Sequence, residues 1–282
     1  MATNPTTGSL HFAGRNAIDT QHNPHVDPNA KIALIVGDDI KTMNATAHTF
    51  MQKGYAVVTA RSKSESTVVN VRSASDSTSG TSPEEASQWI VEHVDDMGHV
   101  GSVEKMFADV IRKVGTPNVV VIDTITSTVG ESAEEKPLSV TTLSIDTFVK
   151  DFTRRVVAAC RLAQLAIIGF RKRQSHASQL QKHILLFTID TTRNPSLSVC
   201  NAAIKSLAES FANECRTDND GGRQNIDVCV VNADMRASVE KVADAYWNCC
   251  AGNPSQAHSG IEAKKTGFHY EHVVARPFAV EQ

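Results

Sequence analysis

Short runs of β-branched apolar residues alternate along the chain with longer stretches whose apolar positions recur at helical spacing. The short runs predict buried strands at KIALIVG, YAVVTAR, IVEHVDD, NVVVIDT, HILLFTI and IDVCVVNA. The longer stretches predict helices over 45–54, 102–115, 145–173, 200–215 and 239–250, whereas the pattern beyond 250 predicts no element. Strands joined in turn by helices predict an α/β fold with a doubly wound parallel sheet.

Two polar stretches lie outside this pattern. Residues 1–30 lack the charged and then apolar run of a signal peptide, and they predict a flexible N-terminal arm. Residues 64–86 are rich in serine and threonine and poor in large apolar residues, which predicts a mobile surface loop. The rest of 31–282 is predicted to form a single folded domain around that loop.

Composition narrows the classes of function. The chain has 282 residues, of which 41% are hydrophobic, and this excludes a mainly disordered protein. A net charge of −3 gives no electrostatic reason to expect binding to nucleic acid or a membrane, and no apolar run is long enough to span a bilayer. The six cysteines show no CxxC spacing and the histidines form no HxxxH or HExxH motif. We therefore expect reduced thiols, a cytoplasmic location and no metal site.

The carboxyl ends of the predicted strands hold the candidate functional residues, because ligands of doubly wound sheets bind there. The first strand runs into the turn VGDDIKTM, which begins at Val36. The second strand ends at Arg61-Ser62, the third is followed by Asp96-Met97, and the fourth runs into IDTI at 122–125. An arginine at the end of the second strand can form a charge-assisted bond to a phosphate.

The order of these elements and the residues at these offsets resemble the short-chain dehydrogenase/reductase family over about 31–238, which implies a Rossmann-like, NADP-binding domain. Of the family's TGxxxGxG turn only the first glycine, Gly37, remains, and Lys41 and Met43 stand where the other glycines belong. Lys41 could bring a cation near the phosphates, or the turn has lost nucleotide binding. Arg61-Ser62 implies NADP(H) in preference to NAD(H), since a basic residue there pairs with the 2′-phosphate. The resemblance implies cofactor contacts from Gly37, Asp39, Ile40, Lys41, Arg61, Ser62, Asp96, Met97, Asp123, Lys205 and Ser238.

The family's catalytic residues are the part of the pattern that differs most. Its tyrosine is replaced by Asn201 in the motif NAAIK, whereas its lysine is kept as Lys205. Its strand-end serine corresponds to Asp190, and the asparagine on its long helix corresponds to Arg155. Because an asparagine cannot protonate a carbonyl oxygen as the tyrosine does, ordinary ketone reduction is not expected.

An arginine and an aspartate in these places resemble the fungal short-chain-derived enzymes of bicyclo[2.2.2]diazaoctane indole alkaloid pathways, of the malbrancheamide and paraherquamide type. In that group NADPH-dependent reduction and an intramolecular Diels–Alder cyclisation share one pocket. The resemblance implies that Asp190, Arg155 and Lys205 are catalytic and that the substrate is an iminium or azadiene alkaloid intermediate. We also expect a homo-oligomer, either a dimer or a tetramer.

Three other interpretations remain open. Asp190 and Arg155 could form a salt bridge in an abandoned active site. The chain could be a non-catalytic nucleotide-binding or regulatory module. It could also be a reductase whose proton donor has moved, for example to Tyr246 in a substrate lid.

Overall fold

A computed structural model describes the greater part of the predicted domain. The described residues are 30–62, 89–94, 96–124, 144–176, 182–190, 195–216, 225–233, 238–251 and 269–272. Residues 1–29 of the predicted arm and the whole predicted loop 64–86 lie outside them.

Seven strands form one sheet in the described part of the chain. They are β1 (Ile32–Val36), β2 (Ala56–Ser62), β3 (Trp89–Val94), β4 (Val119–Asp123), β5 (His183–Asp190), β6 (Ile226–Ala233) and β7 (His269–His272). Their order across the sheet is β3-β2-β1-β4-β5-β6-β7, and β1 to β6 are mutually parallel. The predicted doubly wound parallel sheet is therefore confirmed, with its topological switch point between β1 and β4.

The strand β7 is a feature that the sequence pattern did not predict. It pairs antiparallel with β6 at the edge of the sheet. Its sequence, HYEH, holds four residues and none of them is β-branched, so it lacks the signal that marked the six predicted strands.

Six α-helices connect the described strands. They are α1 (Ile40–Gln52), α2 (Val100–Lys113), α3 (Ile145–Phe152), α4 (Ala158–His176), α5 (Pro195–Arg216) and α6 (Val239–Ala251). A π-helical turn, Thr153–Val157, joins α3 to α4, so the predicted helix 145–173 is one long helix with a wider turn inside it. The helices α2, α4 and α5 cover one face of the sheet, and α1 and α6 cover the other face.

The start of α1 corrects one predicted boundary. The helix was predicted to begin at 45 but begins at Ile40. Asp39 caps it, because its carboxylate accepts hydrogen bonds from the backbone N–H groups of Lys41 and Thr42. At the other end Gly54 adopts a positive φ of 78°, which confirms the expected glycine stop.

All six cysteines are free, and four of them, Cys200, Cys215, Cys229 and Cys250, are buried. The described helices include none that is long and apolar enough to cross a membrane. The described residues also contain no cluster of three or more histidine, cysteine or acidic side chains arranged to hold a metal ion.

Candidate functional site

A small cavity lies at the carboxyl ends of β1 and β4, at the switch point of the sheet. Bounded by the described residues alone, its volume is about 30 Å³, which is enough for one or two water molecules. Its described lining comprises Val36, Gly37, Asp38, Met97, Ile122, Asp123, Thr124, Arg154, Arg155, Ala158, Ala159 and Leu162. Four predicted site residues, Gly37, Met97, Asp123 and Arg155, are thus brought together.

Gly37 lies in close contact with Asp123 at the edge of this cavity. It follows β1, and its N–H donates to the carbonyl of Ala60 at 3.2 Å. A Cβ atom placed on Gly37 would lie 3.0 Å from the Cβ of Asp123 and 3.3 Å from its carbonyl oxygen. These contacts are tighter than ordinary van der Waals distances, so a side chain at this position would require Asp123 to shift by a few tenths of an ångström.

The N-terminus of α1 already holds an anion, which is the carboxylate of Asp39. This carboxylate accepts from the N–H of Lys41 at 3.4 Å, from the N–H of Thr42 at 3.3 Å and from the Thr42 hydroxyl at 2.5 Å. These backbone donors are the ones that a phosphate uses at a helix N-terminus. Ile40 is the first residue of the helix, and the side chain of Lys41 is exposed beside it.

Two consecutive arginines enter the cavity from the π-helical turn. Arg155 is only 8% exposed, and its Nη1 donates to the carbonyl oxygen of Thr124 at 2.7 Å. Arg154 forms an ion pair with Asp38, with Nη2 2.7 Å from Oδ1. Arg155 thus lines the cavity, and so do Arg154 and Asp38, two residues that the sequence motifs did not single out.

A chain of buried hydroxyl groups lies beneath the cavity. The hydroxyl of Thr124 donates to the carbonyl of Thr188, and the hydroxyl of Thr188 donates to the phenol oxygen of Tyr246 at 2.8 Å. Tyr246 is also hydrogen-bonded to Asp123. Burial, followed by the negative charge of Asp123, raises the pKa of Tyr246 well above its usual value.

This arrangement corrects the interpretation of Tyr246 as a displaced proton donor in a lid. The residue is on α6, packed against the opposite face of the sheet, and is 0% exposed. Its hydroxyl is committed to Thr188 and Asp123, and its raised pKa disfavours proton release. Tyr246 is therefore a structural element beneath the cavity and does not reach a substrate.

The residues predicted to hold the adenosine end lie next to each other. Arg61 and Ser62 end β2, and the Ser62 hydroxyl accepts from the N–H of Met97 at 3.3 Å. Met97 lines the cavity, while Asp96 is exposed and accepts from the N–H of Gly98 at 2.7 Å. The ends of β2 and β3 thus lead directly to the cavity, as the resemblance implied.

Nine of the thirteen predicted residues are not in the described cavity lining, among them Lys205, Ser238 and Asp190. Lys205 is half-buried on α5, and Ser238 is exposed just before α6. Asp190 ends β5, where its backbone pairs with Ala233, but its side chain is outside the described part of the structure. The proposed pairing of Asp190 with Arg155 therefore stays a prediction.

The helix α5 approaches the site near Arg155. Burial raises the pKa of the Cys200 thiol on α5, and the Arg155 guanidinium opposes that rise. Asn201, which stands in the place of the family's tyrosine, is the next residue and is half-buried. The part of α5 that carries the altered motif thus lies close to the arginine that lines the cavity.

No protein-family model and no curated protein matches the chain. Solved structures do match it: an alcohol dehydrogenase from Thermococcus sibiricus complexed with 5-hydroxy-NADP has 14% identity and a TM-score of 0.54, covering 80% of this chain and 92% of that one. A 3-ketoacyl-(acyl-carrier-protein) reductase from Brucella melitensis complexed with NADH has 16% identity and a TM-score of 0.58, covering 81% and 94%. A short-chain dehydrogenase/reductase family oxidoreductase from Brucella ovis, with a partially ordered NAD, has 14% identity and a TM-score of 0.53, covering 78% and 93%.

The chain has the short-chain dehydrogenase/reductase fold. At these identities the likeness is one of fold, and it extends over most of each neighbour. In a short-chain dehydrogenase/reductase fold the switch point is the crevice where a ligand binds, and the cavity beside Gly37 and Arg155 lies there.

Proposed function

We propose that this protein is an oxidoreductase that binds NADP(H) at the carboxyl edge of its sheet. The observation that carries the proposal is the cavity at the switch point, lined by Gly37, Met97 and Arg155. The neighbours in complex with 5-hydroxy-NADP, NADH and NAD support a nicotinamide dinucleotide as the ligand.

The residues present fit such a dinucleotide. Ser62 and Met97 form a continuous surface at the ends of β2 and β3 for the adenosine, and Arg61 adds a positive charge for a 2′-phosphate. When bound, the nicotinamide supplies a hydride acceptor or donor, which no side chain of the cavity can replace.

The substrate is proposed to be a cationic carbon–nitrogen double bond, an iminium or an azadiene, because the described part of the cavity lining offers no proton donor suited to a ketone. Its described lining includes no tyrosine, and its one hydroxyl, on Thr124, is donated to the carbonyl of Thr188. Reduction of an iminium carbon requires no proton at oxygen. Arg155 would polarise a carbonyl elsewhere in the substrate, and Asp190 would pair with its cationic nitrogen.

The finer proposal is a bifunctional reductase and intramolecular [4+2] cyclase acting on a prenylated indole alkaloid intermediate. It is supported by Arg155, whose buried guanidinium points into the cavity and is positioned by the carbonyl of Thr124. Cycloaddition needs mainly a fixed orientation of diene and dienophile, which an apolar wall such as that formed by Ala158, Ala159 and Leu162 can provide.

Product analysis with a prenylated dipeptide-derived indole precursor tests this proposal. Asp190→Ala is expected to abolish turnover with NADPH affinity nearly unchanged, and Arg155→Ala to impair cyclisation or its stereochemical outcome. Lys205→Ala is expected to weaken cofactor use. Asp227→Ala is the matched control for Asp190→Ala, since Asp227 is ion-paired with Lys182 at 2.8 Å near the opposite end of β6. Undiminished product from Asp190→Ala would show that this carboxylate is structural.

The choice of cofactor is tested separately by fluorescence titration with NADPH and NADH. A charge-assisted bond from Arg61 to the 2′-phosphate is worth roughly 1.5–3 kcal/mol, or about ten- to a hundredfold in affinity. Arg61→Ala should remove most of this preference. Equal affinity of the natural chain for the two cofactors would contradict the assignment.

A second candidate function is a non-catalytic nucleotide-binding or regulatory module. It is favoured by the loss of the family's tyrosine, which Asn201 replaces, and of two glycines of its turn, which Lys41 and Met43 replace. Saturable NADPH binding without turnover of any imine or carbonyl substrate would support this module over the oxidoreductase. We further propose a cytoplasmic location, given the six free thiols, and a homo-oligomeric state, which light scattering would test.

A further inference from the structure

The family's way of holding a diphosphate is not open to this chain. Two carboxylates, Asp38 and Asp39, follow Gly37 in the turn, and Asp39 accepts from the first free amides of α1. A diphosphate placed at the helix terminus would meet both negative charges. A dinucleotide therefore needs a positive group from another element.

Arg154 is a positive group that reaches this turn from another element of the described structure. It lines the same cavity as Gly37, and its Nη2 lies 2.7 Å from Asp38 Oδ1. Its side chain is 36% exposed and that of Asp38 is 25% exposed, so solvent reaches the ion pair. In addition its Nε is buried and has no hydrogen-bond partner among the described residues. The guanidinium thus has one donor in an exchangeable ion pair and another with nothing to bind in the described structure.

Arg154 and Arg155 reach different partners from neighbouring positions of the π-helical turn Thr153–Val157. Both line the cavity, with Arg155 turned inward to Thr124 and Arg154 outward to Asp38. The inner arginine is fixed by burial, and the outer one is the arginine free to exchange partners.

We propose that Arg154 holds the diphosphate of the dinucleotide, and that Asp38 competes with the diphosphate for Arg154. This inference rests on the proposed binding of NADP(H). On binding, the guanidinium leaves the carboxylate of Asp38 and donates to phosphate oxygens, with Nε–H and an Nη–H forming the two-pronged contact that arginine makes with phosphate. Asp38 therefore lowers the affinity for the dinucleotide, because its ion pair with Arg154 must open before the dinucleotide binds.

Fluorescence titration of the full chain with NADPH and with NADH tests this role. Arg154→Ala should weaken both cofactors by the same factor, about ten- to a hundredfold, because the diphosphate is common to both. Arg154→Lys should restore part of the loss. Asp38→Asn should tighten both by up to about fivefold, the factor that corresponds to a solvent-exposed ion pair.

Two control variants make the result specific. Arg161→Ala removes an arginine of similar exposure on the same helix, ion-paired with Glu104 at 2.6 Å, and should leave both affinities unchanged. Arg61→Ala should change the ratio of the two affinities, whereas Arg154→Ala should not. Circular dichroism and thermal melting of Arg154→Ala should match those of Arg161→Ala.

Several outcomes would overturn the role of Arg154. One is an Arg154→Ala variant that binds within twofold of the natural chain. Another is a loss confined to NADPH, which would move Arg154 to the 2′-phosphate. Weaker binding by Asp38→Asn would refute the competition. If neither the natural chain nor Asp38→Asn binds either cofactor saturably, the proposed function itself fails.

Discussion

Removing the hydroxyl of Tyr246 tests how much the buried hydrogen bonds beneath the cavity contribute to stability. Tyr246→Phe keeps the ring in the core and deletes the oxygen that accepts from Thr188 at 2.8 Å and bonds to Asp123. Both partners are buried, with Thr188 at 0% and Asp123 at 5% exposure, so water does not readily replace the lost bonds. Leaving such groups without this partner costs about 1–3 kcal/mol of unfolding free energy near pH 8.

The pH dependence of this loss has a defined sign. The pKa of Tyr246 in the folded protein is raised well above that of an unfolded chain, mainly by burial. The stability that this shift contributes is present below about pH 10 and is lost as the pH rises through 10 toward the folded-state pKa. A phenylalanine has no such loss. The gap between natural chain and variant should therefore shrink by about 1 kcal/mol between pH 10 and 11.

Urea unfolding followed by tryptophan fluorescence measures this gap, since Trp247 is the neighbouring residue on α6. Tyr55→Phe is the matched control, because Tyr55 is half-buried and keeps its ring contacts with Phe50 at 5.5 Å and Trp247 at 6.2 Å. The control should change stability by no more than about 0.5 kcal/mol at pH 8. A Tyr246→Phe gap that equals the control, or that stays constant from pH 8 to 11, would refute the buried network.

Two further predictions concern stability. Gly37→Ala should lower the unfolding free energy by about 1–3 kcal/mol and reduce NADPH affinity, because its Cβ would lie 3.0 Å from that of Asp123. Gly101→Ala is its control, since the added Cβ meets only the far end of the His99 side chain, and a melting curve of Gly37→Ala that matches it would contradict the prediction. Burial, with a smaller effect of Arg173, lowers the pKa of the fully buried His183 to about 4, so the natural chain should lose about 3 kcal/mol as the pH falls from 6.5 to 4. His183→Phe, which keeps the stacking on Phe170, should lack this part of the loss in urea titrations, and an unchanged acid slope would argue against a neutral buried imidazole.

Hydrophobic pattern was sufficient to predict the six parallel strands and the alternation of helices with them. The strands β1 and β4 show this most clearly, since each is a short apolar run in which every residue is buried. The pattern failed where a polar side chain decides the boundary. The carboxylate of Asp39 starts α1 five residues before its apolar periodicity becomes visible, and β7 is held by its pairing with β6, with no apolar run of its own.

Sequence predicted only those residues of the candidate site whose location follows from the strand or helix that carries them. Gly37, Met97, Asp123 and Arg155 follow strands or lie on the long helix, and the topology alone brings them to one edge. Partners that meet across the sequence were not predictable in this way. The ion pair of Asp38 with Arg154 spans 116 positions, and the bond of Thr188 to Tyr246 joins β5 to α6 across 58 positions.

The wide turn Thr153–Val157 also affects how this chain should be aligned with others. A turn of this kind takes up one residue more than a regular helical turn, so positions before and after it are shifted by one relative to a helix without it. A count from Phe148 to a site residue passes through this turn and is therefore uncertain by one position. The asparagine of a relative whose helix has no such turn can correspond in space to Arg154 or to Arg155. Deleting a single residue here would rotate Arg154 and Arg155 relative to the cavity that both now line. Insertions and deletions of one residue at this turn are thus a simple evolutionary route to new specificity on an unchanged sheet.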